Sequence, residues 1–320
     1  MRVLLTGAAG FIGSHTAEAL VARGDDVLAV DCGLGGGGRQ RDNVAGLVGH
    51  PRFALRRVDL RTADVASLVA DVDAVVHLAA LPGVRGSWAA GFPAYLEHNV
   101  SVTQRLLEAA AGAGLRRFVH ASSSSVYGQA SMARCHERAA TAPHSPYGVT
   151  KLASEHLCRA YAANHGVPTT SLRYFTVYGP RQRADMAVHR LFRCALSGEP
   201  FHLFGDGSQV RDLTAVADVV AANLAALDRR DVPAGTVLNV GAGVPVTVAA
   251  LIAEVEAVTG RSIDVRRSPA QAGDVERTGA ATGMAATVLG WRAETSLHDG
   301  LVRQHRWHLA RRAPVTAARL

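Results

Sequence analysis

A turn built from three glycines near the start of the chain restricts the fold more than any other feature. The residues Gly7-Ala8-Ala9-Gly10-Phe11-Ile12-Gly13 follow a short apolar run and precede a helical pattern over residues 11–23. In such a GxxGxxG turn the first glycine permits the tight turn, the second lets the backbone approach a pyrophosphate, and the third lets the helix pack on the strand. The positive end of the helix attracts the anion. The turn therefore predicts a dinucleotide site that includes Gly7, Gly10, Phe11, Ile12 and Gly13.

The first half of the chain alternates apolar runs of strand length with helical patterns. Strands are predicted at residues 3–5, 27–30, 53–58, 74–78, 118–119 and 169–174. Helices are predicted at residues 11–23, 93–112 and 147–165. Continuous apolar strands separated by helices predict an α/β fold of the Rossmann type, a doubly wound parallel sheet covered on both faces.

The pattern loosens after residue 175 into loops rich in glycine and arginine. Short strands are predicted near residues 201–204 and 236–240, and helices near 186–197, 215–228, 247–259 and 296–309. We interpret residues 1–175 as the dinucleotide-binding domain, to which a segment near 213–241 returns. Residues 176–320 are then a smaller α/β domain that binds the substrate.

Polar and small residues stand where the predicted strands end, at the edge where such sheets bind ligands. Asp31 lies 18 residues after Gly13, where a carboxylate can accept hydrogen bonds from the adenosine ribose. The same carboxylate would repel a 2′-phosphate, so NAD is favoured over NADP. Asp59-Leu60 follow the third strand and Leu78-Ala79-Ala80 follow the fourth. Asp59 would suit the adenine amino group.

Lys151 is the only lysine among the 34 basic residues. Arginine cannot release its proton in proteins and has a broad planar head, whereas lysine is a compact ammonium. Tyr147 and Lys151 are spaced i, i+4 on one helix face. A tyrosine of reference pKa about 10 needs a nearby cation to act as a base near neutral pH. Residues 122–125 are four serines that place hydroxyls at another strand end. Together these residues predict an acid–base site.

Composition and charge exclude several classes of protein. With 48% apolar and 19% charged residues, the chain is typical of a soluble globular protein and not of a disordered or coiled-coil one. The four cysteines lie far apart and the histidines have no metal spacing, so we expect no disulfide framework, no metal and a cytoplasmic location. No apolar run is long enough to span a membrane. The net charge of +7 is compatible with an anionic substrate, and no aromatic-basic motif predicts a nucleic-acid partner.

Taken together, the motifs resemble those of the extended short-chain dehydrogenase/reductases that modify nucleotide sugars. The resemblance covers nearly the whole chain, through TGAAGFIGSH, HLAA, SSSSVYG, SPYGVTK, LRYFTVYGPR, FGDGSQVRD, NVGAG and AGDVERT. It implies that Ser123, Tyr147 and Lys151 are the catalytic set, working with NAD. It adds two residues to the cofactor site: Asn99, which supports the lysine, and Tyr174, which lies where the chain passes the nicotinamide.

The residues after Ser123 help to choose the reaction. Dehydratases of this family have Asp-Glu before VYG and UDP-glucuronate decarboxylases have a glutamate immediately before the valine, whereas this chain has Ser124 and Ser125. Without that carboxyl group, reversible oxidation at C4 remains. The stretch with Thr176, where galactose epimerases have asparagine, is most similar to UDP-glucuronate 4-epimerases. The resemblance therefore implies NAD-dependent conversion of UDP-glucuronate to UDP-galacturonate through a 4-keto intermediate.

The same resemblance implies the substrate contacts. Arg211 would hold the diphosphate, Asp274 the nucleotide ribose, and Arg183 the sugar carboxylate, by paired hydrogen bonds. The full set of candidate substrate-binding residues is Arg85, Ser123, Ser124, Ser125, Tyr147, Thr176, Arg183, Arg190, Arg211 and Asp274.

Four alternatives stay open from the sequence. Two are other sugar enzymes, a UDP-glucose/galactose-type 4-epimerase and a UDP-glucuronate decarboxylase. Two belong to another class, an NAD-sensing protein and an RNA-binding protein. The intact Ser123, Tyr147 and Lys151 argue against a sensor. Family likeness also implies a homodimer through the helices at residues 93–112 and 147–165.

Overall fold

A large parallel sheet organises the chain in the computed structural model, which describes residues 1–33, 39–129, 134–269 and 275–312. The strands of the described chain are β1 (Arg2–Thr6), β2 (Asp26–Asp31), β3 (Phe53–Arg57), β4 (Ala74–His77), β5 (Arg117–Ser123), β6 (Thr169–Tyr174), β7 (Thr176–Tyr178), β8 (Phe201–Phe204), β9 (Val210–Ala215), β10 (Thr236–Val240), β11 (Pro245–Thr247) and β12 (Val265–Ser268). Seven of them form one sheet in the order β10-β6-β5-β4-β1-β2-β3, with every neighbouring pair parallel. This confirms the predicted doubly wound α/β fold.

Helices cover both faces of this sheet. The helices of the described chain, which include those that pack on the later part of the chain, are α1 (Phe11–Arg23), α2 (Arg39–Asn43), α3 (Val65–Val69), α4 (Phe92–Tyr95), α5 (Val102–Ala110), α6 (Pro146–His165), α7 (Ala187–Ser197), α8 (Val216–Asp228), α9 (Val248–Thr259), α10 (Gly283–Leu289) and α11 (Leu297–Arg312). Successive side chains of a strand point to opposite faces. Val3 and Leu5 of β1 accordingly pack with α1 and α8, while Leu4 packs with α3 and α5. Within the described ranges, none of the helices is long and apolar enough to cross a membrane.

The later part of the chain builds two small sheets beside the large one. β9 lies between β11, to which it is antiparallel, and β7, to which it is parallel, while β8 pairs with β12. A separate apolar cluster joins these strands to α7, α9 and α11. β10 lies instead in the large sheet, parallel to β6. The division into domains at residue 175 stays a prediction.

The helix predicted over residues 93–112 is not uniform. α4 and α5 are joined by a π-helical turn, Leu96–Ser101, which contains Asn99. A π turn widens the helix and frees a backbone carbonyl from its usual partner. The Asn99 carbonyl here accepts hydrogen bonds from Thr103 Oγ1 at 2.6 Å and from Ser154 Oγ of α6 at 2.9 Å. The widened turn therefore ties this helix to α6.

Candidate active site

A cavity of about 700 Å³ opens along the carboxyl edge of the large sheet. Ligands bind at this edge in doubly wound sheets, beside the point where the strand order reverses, which is here between β1 and β4. Most of the predicted site residues meet on its wall. They are Gly7, Gly10, Phe11, Ile12, Gly13, Asp31, Asp59, Leu60, Leu78, Ala79, Ala80, Ser123, Ser124, Ser125, Tyr147, Lys151, Tyr174, Thr176 and Arg183.

The glycine turn leaves no room for side chains. Gly7 has a φ of +68°, in the left-handed region, and a Cβ atom there would lie 2.8 Å from the Ala79 backbone nitrogen. A Cβ atom on Gly13 would overlap the Gly7 carbonyl oxygen. α1 begins at Phe11 with no side-chain cap from Gly10, so its first N–H groups can receive a pyrophosphate. The residues present therefore fit NAD.

Asp31 lines the cavity beside the glycine turn. Its carboxylate accepts hydrogen bonds from the Ala9 N–H at 3.1 Å and from the Gly33 N–H at 2.8 Å. These bonds fix the carboxylate beside the glycine turn. A negative charge held there favours ribose hydroxyls and disfavours a 2′-phosphate.

We therefore predict that the protein binds NAD⁺ much more tightly than NADP⁺. A phosphate charge about 4 Å from the Asp31 carboxylate would be repelled by roughly 4 kcal/mol at an effective dielectric near 20, before screening by salt. We expect the Kd for NADP⁺ to exceed the Kd for NAD⁺ by a factor on the order of 100, measured by calorimetry. The Asp31→Asn variant should show a smaller difference between the two Kd values. Similar affinities of the unaltered protein for both cofactors would contradict the role of Asp31.

Asp59 lies on the same wall, farther along the sheet edge. Arg61 Nη2 donates to its Oδ2 at 2.7 Å, and Arg61 Nε donates to its Oδ1 at 3.0 Å. Hydrogen bonds from Arg61 lower the pKa of Asp59 to about 2. The carboxylate is therefore ionised at neutral pH and can accept a hydrogen bond from an adenine amino group.

The start of α6 positions Tyr147 and Lys151. Ser145 caps the helix by accepting a hydrogen bond from the Gly148 N–H at 3.1 Å, and Pro146 occupies the first turn. A Cβ atom on Gly148 would lie 2.6 Å from the Ser125 carbonyl oxygen. The helix therefore starts in direct contact with the end of β5, which brings Tyr147 and Lys151 to the same cavity as Ser123.

Burial and neighbouring charges set the protonation of this group. Lys151 is 5% exposed, and its Nζ donates to the Ala121 carbonyl at 2.9 Å. Burial lowers the pKa of Lys151 to about 8, so the ammonium is still largely charged at neutral pH. Burial raises the pKa of the Tyr147 phenol, while a hydrogen bond from Ser123 and the charge of Arg183 act in the opposite direction. Burial thus favours the neutral phenol, and its ionisation would need cations beside it.

A buried ion pair below the site was not predicted from the sequence. Arg173 donates from Nε to Glu155 Oε1 at 2.8 Å and from Nη2 to Oε2 at 2.7 Å. Ser122, adjacent to Ser123, also donates to Glu155. Glu155 follows Lys151 by four residues on α6, so the i, i+4, i+8 spacing of Tyr147, Lys151 and Glu155 was a usable signal. This pair fixes α6 to the ends of β5 and β6.

Asn99 is not among the described residues on the cavity wall, contrary to its prediction as a cofactor contact. Its Oδ1 accepts from the Leu81 N–H at 2.7 Å, and its Nδ2 donates to the Leu81 carbonyl at 3.1 Å and to Thr150 Oγ1 at 3.0 Å. Thr150 directly precedes Lys151. Asn99 therefore supports the lysine through the framework, and its side chain is fully engaged there.

The predicted substrate residues divide into two groups. Ser124, Ser125, Thr176 and Arg183 share the cavity with Tyr147. Arg85, Arg190 and Arg211 are not on the described part of its wall. The Arg85 guanidinium lies 4.6 Å over the Phe204 ring, and the Arg190 guanidinium 5.0 Å over the Phe201 ring. Arg211 donates to the backbone carbonyl of Val210 at 2.9 Å. Asp274 lies outside the described residues.

Several cavity residues were missed because they lie beyond the strand ends, in loops, in α2 or in the π turn. The loops after β4 and β7 contribute most of them. The loop after β4 directly follows a predicted strand, so extending the strand-end rule by a few residues would have found its members, whereas β7 itself was not predicted. The missed residues are Cys32, Gln40, Asn43, Pro82, Gly83, Val84, His98, Arg181, Ala184 and Met186. Among the described residues, no group of three or more His, Cys, Asp or Glu side chains could hold a metal ion.

The sheet, the glycine turn and the Ser–Tyr–Lys group define a nucleotide-dependent oxidoreductase or epimerase site of the short-chain dehydrogenase/reductase type. The chain belongs to the NAD dependent epimerase/dehydratase family, which matches residues 3–241. The resemblance drawn from the sequence is thereby confirmed.

Three relatives place the chain within this family. A Bacillus subtilis protein, described as the uncharacterized UDP-glucose epimerase YtcB, is 41% identical over 307 residues, 95% of this chain and 96% of that protein. A UDP-glucuronate 4-epimerase of Thermodesulfobacterium geofontis is 32% identical over 95% of each chain. The crystal structure of the UDP-glucuronic acid 4-epimerase of Bacillus cereus, in complex with UDP-glucuronic acid and NAD, superimposes with a TM-score of 0.93. It is 40% identical and covers 97% of this chain and 99% of that chain.

Proposed function

We propose that this protein is an NAD-dependent UDP-sugar 4-epimerase that converts UDP-glucuronate to UDP-galacturonate through a 4-keto intermediate. The observation that carries the proposal is the presence of Arg183 in the same cavity as Ser123, Tyr147 and Lys151. A guanidinium binds a carboxylate by two parallel hydrogen bonds. Its place beside the acid–base group suits a sugar that carries a carboxylate next to the reacting carbon.

The chain's own residues supply the proton transfers. The Tyr147 phenolate takes the proton of the 4-hydroxyl while the Ser123 hydroxyl steadies the same oxygen. The Lys151 ammonium, anchored on the Ala121 carbonyl, stabilises the phenolate. NAD, when bound, supplies a reversible acceptor for the C4 hydride. After the 4-keto sugar has turned to present its other face, Tyr147 returns the proton and the inverted hydroxyl forms.

The positions of the acidic residues in the cavity argue against dehydration, and the residues that follow Ser123 argue against both dehydration and decarboxylation. Among the described residues that line the cavity, the acidic ones are Asp31 and Asp59, both on the side of the glycine turn. Ser124 and Ser125 stand where family members with those other activities carry an acid. Without an acid near the sugar, the site has no group suited to protonate a leaving hydroxyl. UDP-glucose remains the second candidate substrate, because the relative YtcB is described as a UDP-glucose epimerase.

We also propose that the protein works in the cytoplasm as a homodimer. Leu96, at the start of the π turn, is 39% exposed and Val149 of α6 is 45% exposed, on the two helices expected to form the interface. All four cysteines are free thiols, which suits a reducing compartment.

Product analysis by NMR tests the proposed reaction. The NAD-loaded protein is incubated separately with UDP-glucuronate, UDP-glucose and UDP-N-acetylglucosamine. We expect UDP-glucuronate to give a mixture with UDP-galacturonate, without release of CO2, and the neutral sugars to react more slowly. A pentose product would identify a decarboxylase, and faster conversion of UDP-glucose would identify the second candidate. No product from any sugar would contradict the proposal.

A further inference from the structure

Asp185 holds one edge of the Arg183 guanidinium. Arg183 Nε donates to Asp185 Oδ1 at 3.0 Å, and Arg183 Nη2 donates to Oδ2 at 2.7 Å. This is the two-point geometry in which a carboxylate fixes both the position and the plane of a guanidinium. Asp185 itself is not a wall residue of the cavity in the described structure, and its side chain is 67% exposed.

The other edge of the same guanidinium is left for a ligand. An arginine has five N–H donors, and Asp185 takes one on Nε and one on Nη2. Within the described residues, no hydrogen-bond acceptor engages Nη1, and the Arg183 side chain is 34% exposed on the cavity wall. A sugar carboxylate can therefore bind Nη1 and the second N–H of Nη2 while Asp185 keeps the adjacent edge, Nε and the first N–H of Nη2.

A loop on the other side restricts the guanidinium further. A Cβ atom on Gly83 would lie 3.3 Å from Arg183 Nη2, so the absence of a side chain at Gly83 gives the guanidinium its room. Tyr95 fixes this loop because its single hydroxyl hydrogen is shared between the Pro82 and Gly83 carbonyls, both at 3.0 Å. The Tyr95 ring also meets the Tyr147 ring edge to face, with centroids 6.3 Å apart. Arg183 is thus set between Asp185 and a loop that is held by Tyr95, whose ring packs on Tyr147.

We propose that Asp185 is a positioning residue that fixes the plane of Arg183, so that its free edge binds the carboxylate of a uronate sugar. This rests on the proposed function. A fixed Arg183 would make the enzyme selective for UDP-glucuronate over UDP-glucose. It would also keep the C5–carboxylate bond out of alignment with the π-system of the C4 carbonyl. When that restraint is lost, the 4-keto acid can decarboxylate. The C5–carboxylate bond then breaks and CO2 leaves. The electron pair of the broken bond forms the enolate of the C4 ketone, and C5 then takes a proton from water.

The direction of the change in UDP-glucuronate binding, when Asp185 is replaced, distinguishes a positioning role from a purely electrostatic one. Asp185 is negative, so as a mere charge it would repel the substrate carboxylate, and its removal would tighten binding of UDP-glucuronate. As a positioning residue, Asp185 strengthens the binding of UDP-glucuronate, and its removal weakens that binding. Without Asp185, the flexible Arg183 side chain must be ordered by the substrate itself. Asp185→Asn removes the charge and keeps the size, whereas Asp185→Glu keeps the charge and displaces the carboxylate.

The test measures KM and kcat/KM of both variants with UDP-glucuronate and UDP-glucose, the latter as a competitive inhibitor where it is not converted. We expect the preference for UDP-glucuronate over UDP-glucose to fall about tenfold in both variants. The KM or inhibition constant for UDP-glucose should change by less than about twofold. A measurable share of the product from UDP-glucuronate should be the decarboxylated 4-keto pentose. A general loss of structure would change both sugars alike.

Arg229 and Asp231 provide a matched control. They form the same i, i+2 pair, with Nε to Oδ1 at 2.8 Å and Nη2 to Oδ2 at 2.7 Å, away from the cavity. Asp231→Asn should leave the preference unchanged. Tighter UDP-glucuronate binding in Asp185→Asn, or an unchanged preference in either variant of Asp185, would overturn the positioning role alone. An unaltered enzyme without preference for UDP-glucuronate would overturn the proposed function, and this role with it.

Discussion

Lys151→Arg is expected to abolish most of the epimerase activity, although it keeps a positive charge on α6. The Lys151 side chain is buried, and its Nζ donates to the Ala121 carbonyl at 2.9 Å. A guanidinium is broader and planar and cannot occupy the same place without moving β5 or α6. Because acid–base groups contribute about 100-fold to 10,000-fold to catalysis, we expect kcat to fall by at least about 100-fold, measured by NMR with UDP-glucuronate.

The pH dependence distinguishes shape from charge at this position. Burial lowers the pKa of Lys151 to about 8, so the wild-type protein loses this charge as the pH rises through that value, whereas arginine keeps it. If charge were all that the position supplies, Lys151→Arg would be active and would stay active at higher pH. Arg159→Lys, at an exposed position of the same helix, is the control and should have wild-type turnover. A Lys151→Arg variant with wild-type turnover would show that the compact ammonium is not needed.

Residues at strand ends could be placed from the sequence alone. A parallel sheet brings the carboxyl ends of its strands to one edge, whichever helices connect them. Gly7, Asp31, Ser123 and Tyr174 therefore needed only correct strand assignments to be grouped in one site. Tyr147 and Lys151 needed one more step, the i, i+4 spacing that places them on one face of α6.

Residues that depend on contacts between distant segments could not be placed in this way. At the π turn, Leu96–Ser101, hydroxyls of Thr103 and Ser154 bind the Asn99 carbonyl, and the apolar periodicity of a helix does not indicate these contacts. The arginines present the same difficulty. Arg85 and Arg190 stack on phenylalanines of β8, whereas Arg183 enters the cavity. Arg85 has glycine neighbours, Arg183 has polar ones and Arg190 lies on the amphipathic helix α7. None of these local patterns shows whether the side chain enters the cavity.

Arg183→Ala is the second change with a large expected effect. Loss of a charged hydrogen-bond pair should weaken UDP-glucuronate binding by about 1.5–3 kcal/mol, which is roughly 10-fold to 150-fold in affinity. UDP-glucose lacks the carboxylate and should lose less. The charge of Arg183 also acts to lower the pKa of Tyr147, so part of the loss will be common to both sugars. The difference between the two sugars, measured from KM and kcat/KM, isolates the carboxylate contact.

The products of the Arg183→Ala variant test the same contact independently. Oxidation of UDP-glucuronate at C4 creates a β-keto acid, which loses CO2 when the C5–carboxylate bond aligns with the carbonyl π-system. The Arg183 guanidinium can hold the plane of the carboxylate away from that alignment by two parallel hydrogen bonds. Hydroxyls of Thr176 and of Ser124 or Ser125 lie on the same cavity wall and can assist it. Residual turnover without Arg183 should therefore release CO2 and a 4-keto pentose, whereas Arg229→Ala, which removes an exposed arginine outside the cavity, should not. Equal losses for both sugars, with no decarboxylated product, would mean that another group holds the carboxylate or that the natural substrate lacks one.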